Sequence, residues 1–226
     1  MKQQGLPFFL SAIFALSVLA PAAAQSKTNQ GLLDFGIKGG LALPSFFWTG
    51  DTDWNPATNF AIQGEAYIYS CLNLSPTFGI EMEAGYRGKG CSVDASDGYA
   101  HWYMDYLEVP LWAKWSTPVG EHLRFYGGLG GYAACFLGGR YDFSTDDPGL
   151  DGSGRLTSGT ADDPTVVRPF DCGALFVVGG ESNRICLEFR FSVSVIPSLE
   201  FTPPPSFGGE RGALNGGIDL LVGYRF

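Results

Sequence analysis

The stretch Thr77-Phe78-Gly79-Ile80-Glu81-Met82-Glu83-Ala84-Gly85-Tyr86-Arg87-Gly88 decides the fold. Alternate residues fall into two sets: Phe78, Ile80, Met82, Ala84 and Tyr86 in one, and Thr77, Gly79, Glu81, Glu83, Gly85 and Arg87 in the other. Successive side chains of a strand point to opposite faces, so the segment reads as a strand with one apolar and one charged face. Ile185–Val195 repeats the pattern, with Ile185, Leu187, Phe189, Phe191, Val193 and Val195 opposing Cys186, Glu188, Arg190, Ser192 and Ser194. So does Gly216–Phe226, where Ile218, Leu220, Val222, Tyr224 and Phe226 oppose Gly217, Asp219, Leu221, Gly223 and Arg225. In all, the period predicts eight strands, at Leu33–Leu43, Phe60–Leu72, Thr77–Gly88, Tyr103–Trp115, His122–Gly138, Arg168–Gly180, Ile185–Val195 and Gly216–Phe226. Each is about as long as a tilted membrane strand, which needs roughly 9–11 residues. No helical segment separates them. The expected fold is all-β: an eight-stranded antiparallel up-and-down transmembrane β-barrel.

The gaps between these segments run 16, 4, 14, 6, 29, 4 and 20 residues, alternating long and short. Outer-membrane barrels have short periplasmic turns and longer extracellular loops, and an even strand number puts both termini on the short side. The short turns Asn73–Pro76, Ser116–Glu121 and Glu181–Arg184 are rich in turn formers.

Composition agrees. Of 226 residues, 45% are hydrophobic, 15% aromatic and only 16% charged, against about 25% charged in an average soluble domain. The 32 glycines and 14 prolines disfavour long helices. The net charge of −9 argues against a nucleic-acid partner, since phosphate binding needs a basic face.

Residues 1–24 read as a secretory signal peptide. Lys2 supplies the charged start, Leu6 to Leu19 an uncharged apolar stretch, and Ala22-Ala23-Ala24 the small-residue cleavage site. The apolar stretch is short for a membrane span of about 20 residues. Residues 25–226 are then the barrel. Losing Lys2 leaves 13 basic against 23 acidic residues, a net −10. Past residue 24 the longest uncharged run, between Arg124 and Arg140, holds FYGGLGGYAACFLGG, whose glycines weaken any helix. A membrane crossing must therefore be a closed barrel.

Energetics choose the face that meets lipid. With the apolar set outward, Asp34, Lys38, Glu65, Glu81, Glu83, Arg87, Glu108, Lys114, Arg124, Asp171, Glu188, Arg190, Asp219 and Arg225 all point into the lumen, eight acids against six bases. A one-residue slip would turn them toward lipid, at about 2–4 kcal/mol for each Lys or Arg near the midplane. A soluble lipocalin-like barrel would need the apolar face inside. Trp115, Phe78, Tyr224 and Phe226 at the turn side, and Phe60, Tyr86, Tyr103, Phe136 and Phe170 at the loop side, are the expected interfacial aromatics.

The ending Leu220-Leu221-Val222-Gly223-Tyr224-Arg225-Phe226 resembles the assembly signal of bacterial outer-membrane barrels, with Tyr224 and Phe226 as its aromatic positions. Phe35-Gly36-Ile37-Lys38-Gly39-Gly40-Leu41 resembles the opening strand of the porin family / outer membrane β-barrel proteins of Bacteroidetes type. Tyr106-Leu107-Glu108-Val109-Pro110-Leu111-Trp112-Ala113-Lys114-Trp115 is similar to that family's YLEIPLLLKY strand, and Phe170-Asp171-Cys172-Gly173 to its F-D-x-G strand. The resemblance implies a bacterial outer-membrane location, outer-membrane lipid and the barrel assembly machinery as partners, a monomer, and no named substrate or cofactor.

Eight strands leave an interior just wide enough for side chains to fill. Tyr67, Tyr69, Trp112, Tyr126 and Tyr132 are placed to plug it, which argues against a general diffusion pore. The expected role is therefore structural or surface-exposed, presenting loops for adhesion or ligand binding, without catalysis. A narrow channel for small solutes through the charged lumen is the alternative. A rim hydrolase of lipid or peptide comes third, on His101 with Asp97, Asp105, Ser92 and Ser96 nearby, while His122 reads as a solvated turn residue. Asp142, Asp146, Asp147, Asp151, Asp162 and Asp163 form an acidic third loop without the regular spacing of a calcium loop. Pro203-Pro204-Pro205 suggests an extended fourth loop. Gly128-Leu129-Gly130-Gly131-Tyr132-Ala133 fits a loose dinucleotide pattern but lies inside a strand, where its glycines better make room for a neighbour's ring. Of five cysteines (Cys71, Cys91, Cys135, Cys172, Cys186), Cys135 and Cys172 share outward parity on adjacent strands and are the candidate disulfide; free thiols are the alternative.

Overall fold

Alternation does in three dimensions what it promises in one. The computed structural model describes residues 32–49, 58–95, 98–119, 122–145, 152–159, 166–201 and 211–226, and the signal-peptide reading lies outside them. The long strands are β1 (Leu33–Thr49), β3 (Gln63–Asn73), β4 (Phe78–Ala95), β5 (Gly98–Val119), β6 (Leu123–Thr145), β10 (Phe170–Ser182), β11 (Ile185–Ser194) and β13 (Arg211–Arg225). Short strands β2 (Thr58–Asn59), β7 (Gly152–Arg155), β8 (Thr157–Ser158), β9 (Val166–Val167) and β12 (Leu199–Phe201) sit in the loop-side connections. The long strands hydrogen-bond in the order β1-β3-β4-β5-β6-β10-β11-β13, and β1 pairs β13, from Gly36↔Arg225 to Thr49↔Gly212, to close the ring. Every pairing within the ring is antiparallel, and closure leaves no edge to lipid.

The strands run further toward the loop side than the sequence predicts. β1 continues past Leu43 to Thr49, β4 past Gly88 to Ala95, and β5 starts at Gly98 rather than Tyr103. The second predicted loop is therefore mostly a β-hairpin, Lys89↔Met104 through Ala95↔Gly98. Gly90 permits it. Its φ is +128°, and a Cβ there would lie 1.9 Å from the Trp102 carbonyl oxygen. Farther round, the β5–β6 register shifts between Asp105 and Tyr106, which leaves Leu137 as an extra, bulged residue on β6. β6 then continues to pair β7, Arg140↔Arg155 through Phe143↔Gly152.

Two interiors are stacked inside this wall. In the turn-side half, Trp112, Tyr126, Leu175, Val177 and Cys186 pack beneath a layer of buried charges. At the loop side, Phe46, Cys91, Val93, Met104, Tyr106, Tyr132, Ala134, Leu156, Val167, Leu199 and Ala213 form an apolar core, and Trp102 and Tyr141 pack against it. Phe136 belongs here too, 5.6 Å from the Tyr106 ring, and not to the outer girdle where the sequence reading places it; its parity points inward. Of the other eight girdle residues, Trp115, Tyr224, Phe226, Phe60, Tyr86 and Phe170 are exposed, while Phe78 and Tyr103 are partly buried.

Candidate functional site

The centre of the lumen is built around Lys38 on β1. Its Nζ donates to Glu81 Oε1 at 2.5 Å, Glu83 Oε1 at 2.8 Å and Glu188 Oε2 at 2.7 Å, reaching across from β1 to β4 and β11. The three acids offer oxygens within 4.8 Å of one another, a spacing that suits a cation, and the Lys38 ammonium stands among them in that role. Arg190 adds a second cation, its NH2 lying 2.8 and 2.9 Å from the Glu83 carboxylate and 2.6 Å from Glu188 Oε1. Lys114 Nζ donates to Glu81 Oε2 at 3.0 Å. Trp112 Nε1 and the Tyr126 hydroxyl complete the shell, at 3.3 Å from Glu83 and 3.1 Å from Glu188. Lys38 also lies over the rings of Tyr69 and Trp112, at 5.0 and 5.3 Å.

Nearer the loops, Arg87 holds the second cluster. Its guanidinium is 2.9 Å from Asp219 Oδ1 and 3.3 Å from Glu108 Oε1, donates to Ser192 Oγ at 2.7 Å, and is 3.9 Å from Glu65 Oε2. Lys89 joins Glu108 Oε2 at 2.8 Å to Asp171 Oδ2 at 2.9 Å and lies 4.0 Å over the Tyr132 ring. Ser194 and Asn215 also donate to Asp171. Arg190 over the Tyr67 ring, at 5.2 Å, links the two clusters. Glu65 is held most loosely, since its Oε1 has no partner among the described residues.

Buried charges persist only when paired and hydrogen-bonded, and each of these side chains has at least one such partner, although Asp219 Oδ2 and Arg190 Nη1 have none among the described residues. The lumen acids Glu65, Glu81, Glu83, Glu108, Asp171, Glu188 and Asp219 face Lys38, Arg87, Lys89, Lys114 and Arg190, and all but Lys114 are almost fully buried. The large side chains expected to fill the bore do so: Trp112, Tyr67, Tyr126 and Tyr132 are buried. The glycines opposite make room as expected, for a Cβ on Gly128 would fall 2.2 Å from the Trp112 ring.

Three expectations need correction. Arg124 points inward by parity but stays outside the network: it sits one pair from the turn, and its NH2 donates to the Pro76 carbonyl at 2.5 Å. Arg225 is likewise a rim residue, half-exposed, pairing Glu181 at 2.6 Å and Asp34 at 3.5 Å. The candidate disulfide does not form, and all five cysteines are free. Cys135 stands opposite Phe170 and Cys172 opposite Ala133, so the two thiols are diagonal neighbours rather than a facing pair. Lys89 is the charged network residue that sequence reading missed, and Asn215 a polar one. Lys89 lies one alternate position beyond Arg87, and continuing the odd-numbered set past Gly88 finds it.

The rim reading fares less well. Ser92, His101 and Asp142 do lie in one row across β4, β5 and β6. Yet His101 packs at a tilt against Tyr99, with ring centres 4.8 Å apart, and puts Nδ1 3.4 Å from the Tyr103 hydroxyl. No hydrogen bond joins it to Ser92 or Asp142 among the described residues. Asp97 and Ser96 lie outside those residues, as do Asp146, Asp147, Asp151, Asp162, Asp163 and Pro203-Pro204-Pro205.

A closed ring of eight antiparallel strands, with lipid-type residues outside and a charged lumen inside, matches a known sequence profile. The profile described as "outer membrane protein beta-barrel domain" matches residues 23–200. The chain belongs to this outer-membrane β-barrel family. Its location is the bacterial outer membrane. A comparison with curated proteins finds no match. Among solved structures, the outer membrane protein OprG from Pseudomonas aeruginosa is 15% identical over 85% of this chain and 95% of its own, with a TM-score of 0.51. Ail, the attachment invasion locus protein of Yersinia pestis, solved with the heparin analogue sucrose octasulfate, is 13% identical over 86% of this chain and 99% of its own, at a TM-score of 0.40. Neisserial surface protein A is 10% identical over 85% of this chain and 97% of its own, also at 0.40. At such identities the OprG likeness speaks for the barrel fold alone.

Proposed function

We propose that this outer-membrane barrel is a non-enzymatic, non-conducting scaffold that holds a rigid, strand-built platform at the cell surface for adhesion or ligand binding. The observation that carries the reading is the double seal. Trp112, Arg87, Arg190 and Glu83 fill the middle of the bore, and Phe46, Met104, Tyr106 and Leu199 close it again at the loop side, each at most 1% exposed. An open pore would leave such side chains wet. The platform consists of the loop-side extensions of β4, β5 and β6 with β7 paired at their edge. The reading includes cleavage after Ala24, a monomer, and recognition of the Tyr224–Phe226 end by the assembly machinery; both aromatics are exposed at the turn rim, 6.0 Å apart.

Planar-bilayer recording of the mature protein tests the seal. The expected result is no single-channel steps. One observation favours the channel alternative: the polar chain from Lys114 through Glu81, Lys38, Glu83 and Arg190 toward Arg87 and Lys89 is continuous along the bore. Discrete steps that change when Glu83 or Arg190 is neutralised would establish the channel and end the scaffold reading.

A further inference from the structure

The outward face of the platform carries a charge arrangement that strand pairing alone does not favour. Arg140 on β6 and Arg155 on β7 stand directly opposite each other, and both are exposed. Like charges facing across a strand pair are destabilising unless something lies between them. Among the described residues no carboxylate comes within ion-pair distance of either. Arg140 is instead braced over the Tyr103 ring at 4.8 Å, on the strand at its other side. The two arginines thus stand at facing positions on paired strands of a chain whose net charge is −9.

Their height is as informative as their charge. On β5 the outward series Trp115, Leu111 and Leu107 gives way to Asp105, Tyr103 and His101; on β6 it passes from Phe125 and Leu129 through Leu137 to Arg140. Arg140 lies three residues beyond Leu137, roughly 10 Å along the strand at about 3.3 Å per residue. At a tilt of roughly 40° that is about 7–8 Å of height, the depth of a headgroup layer that adds about 5–8 Å to each side of the hydrocarbon. The pair faces sideways, along the membrane plane, and not up into the medium.

We infer that Arg140 and Arg155, braced by Tyr103, clamp a phosphate of a phosphorylated glycolipid in the outer leaflet, the class to which lipopolysaccharide belongs. Guanidinium matches phosphate oxygens in paired, charge-assisted hydrogen bonds, and one phosphate between the two removes their mutual repulsion. This goes beyond the scaffold reading and does not rest on it, because the clamp lies on the lateral wall and would serve a conducting barrel as well as a sealed one.

The test uses the mature protein in nanodiscs of neutral phospholipid, titrated with purified rough-type lipopolysaccharide and followed by native mass spectrometry. The wild type is expected to retain the glycolipid. R140S/R155S is expected to bind it at least tenfold more weakly, with heat-modifiable gel mobility showing that the barrel still folds. R155S alone, on the short edge strand β7, keeps the test decisive if the double variant misfolds, and should weaken binding several-fold. R184S, an exposed arginine at the turn rim, should bind as the wild type does. Equal binding by the wild type and by R155S would overturn the clamp, as would equal binding of enzymatically dephosphorylated lipopolysaccharide. Displacement of the glycolipid by millimolar inorganic phosphate or by a lipid-free phosphorylated sugar would overturn the membrane source.

Discussion

The turn-side and loop-side halves of this barrel share one alternation and invert its meaning. Along β4, Glu81, Glu83, Arg87 and Lys89 point inward and Phe78, Ile80, Met82 and Tyr86 outward; beyond Gly90 the inward residues are Cys91 and Val93 and the outward one is Ser92. β5 switches a few residues sooner, from inward Lys114, Trp112 and Glu108 to inward Tyr106 and Met104, which stand opposite Arg87 and Lys89. Below the switch the protein is polar inside and apolar outside, as lipid demands. Above it the arrangement is that of an ordinary water-soluble sheet with a dry core. The strands do not stop at the membrane, but their solvent changes there. The switch in side-chain chemistry therefore locates the membrane boundary better than any strand end does.

Energetically the two halves should fail differently, and the largest effect is expected in the lower one. Lys38→Met leaves Glu81, Glu83 and Glu188 within 4.8 Å of one another without the ammonium between them. Removing one partner of a buried ion pair typically costs about 3–5 kcal/mol, and here three acids each lose one of their two cationic partners, keeping only Lys114 or Arg190. Urea unfolding in detergent should show that loss, or no folded barrel at all; an unshifted midpoint would mean that the charge layer is not structural. In the upper half the corresponding test is apolar. Leu199→Ala in the cap should cost about 2–5 kcal/mol by the same assay, as a core truncation does, because its surroundings are dry and packed.

A matched pair of charge insertions sharpens the comparison. Leu129→Arg, on the lipid face of β6, should cost about 2–4 kcal/mol, whereas Ser92→Arg, outward on β4 above the switch, should stay within about 0.5 kcal/mol. Similar costs at both sites would place Ser92 in lipid and move the boundary. Gly90→Ala is expected to cost about 1–2 kcal/mol from its left-handed backbone alone, and more from the close approach to Trp102. The smallest effect belongs to the cysteines. Cys135→Ser with Cys172→Ser should leave stability within about 0.5 kcal/mol, and thiol titration of the unfolded, unreduced wild type should find all five thiols. Fewer would show that a bridge forms after all.

Much of this architecture was legible in the sequence because the side-chain period of a strand is two and lipid enforces it on one face. Glu81, Glu83, Glu188 and Arg190 could be assigned to the lumen from parity alone, and so could the aromatic residues that fill it. Parity says which face a residue takes and nothing about height, which is why Arg124 and Arg225 were grouped with a central network they do not reach. Stopping the strands at the end of the amphipathic pattern hid Lys89 and the β4–β5 hairpin, since above the switch the polar face is the outer one. The disulfide reading failed on register: Cys135 and Cys172 share a face, but the β6–β10 pairing offsets them by two residues. Register depends on how the whole ring closes, and no local pattern in the sequence records it.

The inversion itself can be measured most directly by spin-label accessibility. Single cysteines at positions 84 and 129 below the switch, and 92 and 153 above it, would be placed in a cysteine-free background and labelled in lipid vesicles. The account predicts that molecular oxygen relaxes the labels at 84 and 129 and that a water-soluble nickel chelate relaxes those at 92 and 153. Nickel access at 84 or 129, or oxygen-dominated relaxation at 92 and 153, would contradict it.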